Sequence, residues 1–180
     1  MRALFATSVA LLTATALYAQ PQGLAPEWDV RKMLDSVIAE TGKLEPILNQ
    51  VRPKDWVTDG APQTYVAQFD SLRVQNKAVA QAAKNLQQKP AELLPLLQLV
   101  FRIQAFDVAL RSVGEGLRKY QNPSLADLLI AVVAEGVAPR EHLQQYALEV
   151  ATEREQQCSV ADREAQRCRE SISKAPRSNK

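Results

Sequence analysis

The sequence predicts an all-α antiparallel bundle of four to five helices, the first of them kinked. Three observations lead there. Apolar residues recur at alternating gaps of four and three over long stretches, which is the stripe of a helix packed on one side. No stretch of any length alternates as a half-buried strand would. Prolines and glycines fall between the periodic segments, where helices must stop and restart.

The chain opens with one positive charge, Arg2, then an apolar run from Ala3 to Tyr18, then small residues at Ala16 and Ala19 ahead of polar Gln20-Pro21-Gln22. That order reads as a secretory signal peptide over residues 1–19, cut after Ala19, with a cut after Ala16 as the second choice. The run is short of the roughly 20 apolar residues that span a bilayer, which weighs against an uncleaved anchor. No cysteine follows it to carry a lipid. The expected location is therefore secreted or periplasmic. Removal of 19 of the 180 residues also removes Arg2 and lowers the formal net charge from +2 to +1. No overall charge draws such a protein to nucleic acid or to an acidic membrane. No membrane span is expected after the signal, since the longest apolar stretch, Leu128 to Ala134, is bounded by Asp127 and Glu135.

Residues 20–26 read as a linker and 27–170 as one helical domain. The first seam is Val30, Leu34, Val37, Thr41, Leu44, Leu48 and Val51. Pro46 lies inside it, and its ring opposes the carbonyl of Gly42, so a kink is expected there. Residues 52–63 read as the longest internal loop, from Pro53, Asp59-Gly60 and Pro62. A second seam follows at Tyr65, Phe69, Leu72, Asn76, Val79, Ala83 and Leu86. The third helix starts near Pro90 or with Pro95 in its first turn, and its seam is Leu96, Val100, Ile103, Asp107, Leu110, Gly114 and Leu117. A Ser124-x-x-Asp127 capping box announces a short fourth helix, apolar nearly all round and so expected to be buried on several sides. Gly136 ends it. Pro139 opens a fifth helix with Leu143, Tyr146, Ala147 and Val150 on its packed side. Residues 153–170 are mostly charged or amide-bearing, and 171–180 read as a basic disordered tail.

The chemistry-bearing residues are few. Cys158 and Cys168 are the two cysteines. In an oxidising compartment an even pair favours an intrachain disulfide, with intermolecular bonds or free thiols as the alternatives. Ten residues of unbroken helix would hold their Cα atoms about 15 Å apart, against a limit of about 7 Å for a bridge. The bond therefore requires a break, which a second S-x-x-D box at Ser159 and Asp162 could supply. The C-x-x-C spacing of thiol oxidoreductases and the C-x-x-C-H of haem attachment are absent. His142 is the only histidine. Met33 is a conceivable haem partner, but antiparallel packing is expected to put His142 near Leu48, away from Met33. No cofactor and no metal is expected.

Asp107 and Asn76 sit on otherwise apolar seams. Asp107 has Arg111 four residues on as an ion-pair partner, and a seam Asn commonly fixes helix register. Trp56, beside Val57 in the long loop, either folds back to close the end of the bundle or anchors a partner protein. No nucleophile elbow, phosphate loop or zinc helix is present. The expected function is a non-catalytic binding or scaffold protein of the cell envelope, with another envelope protein as partner. The alternative is a bundle with a pocket for a small apolar ligand or substrate near Asp107 and the Gly114/Gly116 pair.

Overall fold

The computed structural model describes residues 24–174, so the signal-peptide reading of residues 1–19 lies outside the described residues. The described chain is an all-α helical bundle, and its long first helix is bent. In order, the helices are α1 (Glu27–Leu48), α2 (Pro53–Thr58), α3 (Thr64–Leu86), α4 (Leu93–Tyr120), α5 (Pro123–Glu135) and α6 (Val137–Lys174).

Side-chain pairs fix the directions. Gln87 donates to Asp35, Asn76 to the Thr41 carbonyl and Arg73 to Asn49, so α3 runs antiparallel to α1. Ser112 donates to Gln68 while Gly116 abuts Tyr65, so α4 reverses again. Arg118 pairs with Asp127, and Gly114 lies under Leu129, which sets α5 antiparallel to α4. Lys43 pairs with Glu135 and Arg140 with Glu40, so α5 and α6 descend along α1 as one limb interrupted at Gly136. The result is a four-limbed antiparallel bundle.

The seams read from periodicity are the core. Val30, Leu34, Val37 and Leu44 of α1 are buried, as are Phe69, Leu72, Val79 and Ala83 of α3. Leu96, Ile103, Leu110 and Leu117 of α4 and Leu143, Ala147 and Val150 of α6 complete it. Asn76, between these residues, donates from Nδ2 to the Thr41 carbonyl at 3.1 Å, a buried bond across α1 and α3. Removing that donor would expose the mismatch between two seams, which is how a polar seam residue holds register.

Several expectations are corrected. Residues 52–63 contain a helix, α2, because Pro53 stands at N1, where its missing N–H costs nothing. Asn122, not Ser124, caps α5: its side chain accepts from the N–H groups of Ser124 and Leu125 at 2.9 and 3.3 Å, with Pro123 at N1. α5 is not buried all round, since Leu128 and Ile130 are 50% and 53% exposed. α6 is continuous to Lys174, so residues 171–174 of the expected tail are helical. α4 is long and apolar enough to cross a membrane by length and composition alone, with Arg102 and Asp107 interrupting its apolar run. In the bundle its inner face is buried, while Leu94, Phe101 and Val108 line its outer face at 62–67% exposure.

Trp56 is fully buried and closes one end of the bundle. It therefore offers no surface to a partner, and the anchor reading is withdrawn. Its ring packs edge-on to Tyr65 (centroids 5.6 Å apart) and stacks near Tyr120 (6.5 Å). Gln121 Oε1 accepts from Trp56 Nε1 at 3.0 Å and from the Arg52 N–H at 2.9 Å, while Gln121 Nε2 donates to the Gln50 carbonyl at 2.8 Å. One amide thus satisfies the indole and ties the α1–α2 connection to the end of α4. Gly116 makes room for the rings, for a Cβ there would meet Trp56 Cζ3 and Tyr65 Cε1 at 2.8 Å. Gly116→Ala is expected to destabilise the fold by about 1–3 kcal/mol, the usual cost of overpacking. Urea unfolding of the two proteins measures it, and an unchanged midpoint would show that the aromatic cluster yields freely.

Candidate functional site

The candidate site forms where α5 meets α6. Arg140, in the first turn of α6, falls one step before Leu143, Ala147 and Val150 on the packed side, so its guanidinium is carried into the bundle at 6% exposure. It is satisfied there from four directions. Nε donates to the Gly136 carbonyl at 2.9 Å, and one terminal nitrogen donates to the Val133 carbonyl at 2.7 Å. The same two carbonyls also accept backbone N–H groups, from Arg140 at 3.3 Å and Gly136 at 3.1 Å, so the guanidinium gives each a second donor at the α5–α6 junction. The other terminal nitrogen bonds Asp107 of α4, and Glu40 Oε1 of α1 lies 3.2 Å from the guanidinium. Arginine alone has the planar fork of five donors that such a junction needs.

Gly136 is required by the same junction. Its φ is ordinary for a helix end, but a Cβ there would overlap the Glu40 carboxylate. Glu40 is 7% exposed, and its Oε1 has no hydrogen bond despite the nearby guanidinium. Burial pushes the Glu40 carboxyl up to about 7, against the pull of Arg140 and with help from the negative charges of Asp107 and Glu135. Burial also raises Asp107, while Arg140 and, more weakly, Arg111 draw it down. Two carboxylates thus share one guanidinium, and the deeper one gives up its charge near neutrality.

Asp107 and Arg140 also line an outward groove of about 610 Å³ between α4, α5 and α6. Its apolar floor includes Leu110, Gly114, Leu129, Ile130 and Val133, and Arg111 and Arg118 stand at its edge with Glu115 and Glu141. Arg118 is paired with Asp127. The expectation that Asp107 would find its partner in Arg111 is therefore corrected: Arg140, from another helix, is the hydrogen-bonded partner. A second groove of about 550 Å³ between α1 and α6 contains both Met33 and His142. The register expected for these two residues is overturned, because α6 pairs with the N-terminal half of α1 once Gly136 is set on Glu40. Among the described residues, no group of three or more His, Cys, Asp or Glu could hold a metal ion.

Cys158 and Cys168 are both free and exposed on uninterrupted α6. The break expected at Ser159 does not form, so the two Cα atoms stand about 15 Å apart along the helix. The intrachain disulfide is corrected on that ground. Glu40 and Arg140 escaped the sequence reading. The one available signal was Arg140 standing in step with Leu143, Ala147 and Val150. Comparison with protein families, with characterised proteins and with solved structures finds no match.

The raised Glu40 pKa fixes a sign. Between its unfolded value of 4.5 and its folded value of about 7, the native state holds more protons than the unfolded chain, so stability contributed by this group falls as pH rises. Glu40→Gln, a permanent mimic of the protonated form, is expected to match the wild type near about pH 4.5 and to exceed it by about 1–3 kcal/mol at about pH 8. Urea midpoints across that range check it. A difference that stays constant with pH would mean that Glu40 titrates normally.

Proposed function

We propose that this chain is an exported, non-catalytic binding protein that holds a small amphipathic ligand in the groove between α4, α5 and α6. The export half rests on the order of residues in 1–19. The observation that carries the binding half is the groove beside Asp107. Its volume of about 610 Å³ falls in the range of small-molecule sites, about 300–1,000 Å³. It combines an apolar floor with a few charged groups at one side, as such sites do. The ligand's apolar body would lie over Leu110, Leu129 and Val133, with a polar group toward Arg111 and the outer side of Asp107. Arg140 serves as a fixed wall, since its donors are already engaged inside the bundle.

A second reading, docking of another envelope protein, draws on a different face. Leu94, Phe101 and Val108 are spaced seven residues apart on the outer side of α4 and are well exposed. A neutral solvatochromic dye of the Nile red type separates the two. Saturable binding of one dye per chain, weakened about tenfold or more (about 1.4 kcal/mol) by Ile130→Arg and unaffected by Phe101→Ser, is the expected result. Binding lost in Phe101→Ser but kept in Ile130→Arg would move the function to the α4 face. Competition by medium-chain fatty acids would then define the ligand's polar group.

A further inference from the structure

We infer that the distal part of α6 is a docking surface for a second copy of this chain, arranged antiparallel and closed by two symmetric disulfides between Cys158 of one copy and Cys168 of the other. This goes beyond the groove and does not depend on it.

The 38-residue α6 is about 57 Å long at 1.5 Å per residue. Its packed residues end at Val150, and from Arg154 to Ser173 every residue is exposed apart from half-covered Ala165. The segment from Ala151 therefore projects about 35 Å beyond the bundle. Its sequence is not patternless. Ala151, Arg154, Cys158, Ala161, Ala165, Cys168 and Ile172 follow gaps of three, four, three, four, three and four. That is an a/d heptad seam, small or apolar at every step except Arg154. At 100° per residue it continues the side on which Leu143, Ala147 and Val150 are buried, so the arm extends the bundle's packed face into open solvent.

Two independent features choose the occupant and its direction. The first is charge. The proximal half of the arm carries Glu153, Glu155 and Asp162 against one base, Arg154. The distal half carries Arg163, Arg167, Arg169 and Lys174 against Glu164 and Glu170. An antiparallel second copy lays the acidic half on the basic half, and a parallel one stacks like on like. The second feature is register. Centring the two-fold axis at residue 163 places Cys158 opposite the second copy's Cys168, Ala161 opposite its Ala165 and Arg154 opposite its Ile172. Each is an a position facing a d position, the layering that an antiparallel pair requires. Glu155 then flanks the second copy's Arg169. Asp162 and Glu164 meet their own counterparts near the axis, which keeps the uncrosslinked pair weak.

The alanines at the centre allow the axes to approach to about 8 Å, the close end of helix packing. With Cα atoms about 2.3 Å from each axis, directly facing Cα atoms lie about 3.4 Å apart at that limit and enter the range of a disulfide, about 4.4–6.8 Å, at axis separations of about 9–10 Å. The ten-residue spacing that forbids a bond within one helix thus suits two bonds between helices. Each bond forms by thiol–disulfide exchange. A thiolate attacks a small dialkyl disulfide such as oxidised glutathione and releases one thiol. The facing thiolate then displaces the second, so two protein thiols are oxidised and one dialkyl disulfide is reduced to two thiols.

The test uses the full chain with oxidised glutathione at micromolar protein, read by non-reducing gel and by mass spectrometry of the digested dimer. The expected result is a covalent dimer in which peptides containing Cys158 are linked to peptides containing Cys168. Cys158→Ser and Cys168→Ser, each alone, should crosslink only slowly, because each remaining thiol faces a serine. An equimolar mixture of the two should give a dimer about tenfold faster than either alone, through the effective concentration of a docked pair. Both substitutions are on the exposed arm, so the bundle folds in either case. A wild-type monomer under these conditions, dimers from a single variant as fast as from the mixture, or links pairing Cys158 with Cys158 would each overturn the proposal.

Discussion

A buried guanidinium cannot be left short of partners, and Arg140 is the constraint on which the geometry of the bundle turns. An isolated charge in an apolar interior costs several kcal/mol or more after relaxation. Arg140 meets that demand with groups from three other helices and the link before its own: Glu40 of α1, Asp107 of α4, the Val133 carbonyl of α5 and the Gly136 carbonyl. A pair of carboxylates would overcompensate one guanidinium. The raised pKa of Glu40 resolves the excess, because the deeper carboxyl takes a proton near neutrality and leaves one charge to balance one. Such a cluster adds little net stability against an apolar replacement of the same shape. What it fixes is position: α5 must end where its carbonyls reach Arg140, and α6 must start where Glu40 can touch Gly136.

The groove follows from that junction. If α5 and α6 were one straight helix, the side chains of Ile130, Val133 and Val137 would lie along α4 without a break. The helix is interrupted at Gly136, and the space between α4, α5 and α6 is lined by Leu110, Leu129 and Val133. Gly114 contributes by lacking a side chain, with Leu129 Cδ2 only 3.6 Å from where its Cβ would be. The end of the bundle at the C-terminus of α4 is closed by a different device, the Trp56–Tyr65–Tyr120 cluster over Gly116. The two glycines noted in α4 thus serve opposite purposes: one leaves space, the other is covered by rings.

Periodicity made most of the fold legible. Leu34, Leu72, Leu96 and Leu143 are all fully buried, because burial on a helix obeys its 3.6-residue repeat and the repeat is written in the sequence. The buried charges were not legible for the complementary reason. Glu40 and Arg140 are a hundred residues apart, and each alone resembles a solvated residue; only their meeting makes either one tolerable inside. Asp107 was visible as an anomaly on its seam, but its local neighbour Arg111 offered a sufficient partner and concealed the distant one. Trp56 was judged by its loop, whereas its fate was set by Gly116 and Gln121, more than fifty residues on. The Cys158–Cys168 bond failed on a local rule, since a Ser-x-x-Asp box can start a helix but does not interrupt one already running through Glu, Gln, Arg and Ala.

That continuity raises its own physical question. A helix of about 24 residues with no packing behind it relies on intrinsic propensity and on i,i+4 pairs, each worth a few tenths of a kcal/mol. The arm of α6 has such support: Gln157 donates to Glu153, and Arg163 donates to the Ser159 carbonyl. It is also anchored at its root by Leu143, Tyr146 and Val150, which removes the cost of nucleation. Solvent-side pairing alone, however, would be served by any polar residue on the remaining side. The arm instead keeps Ala151, Cys158, Ala161, Ala165, Cys168 and Ile172 in step with the buried residues that precede them. Small residues there give up side-chain packing within one chain and permit a close approach by another helix. The bundle and the arm therefore follow one rule on a single continuous face, with large side chains where the chain covers itself and small ones where its own chain supplies no cover.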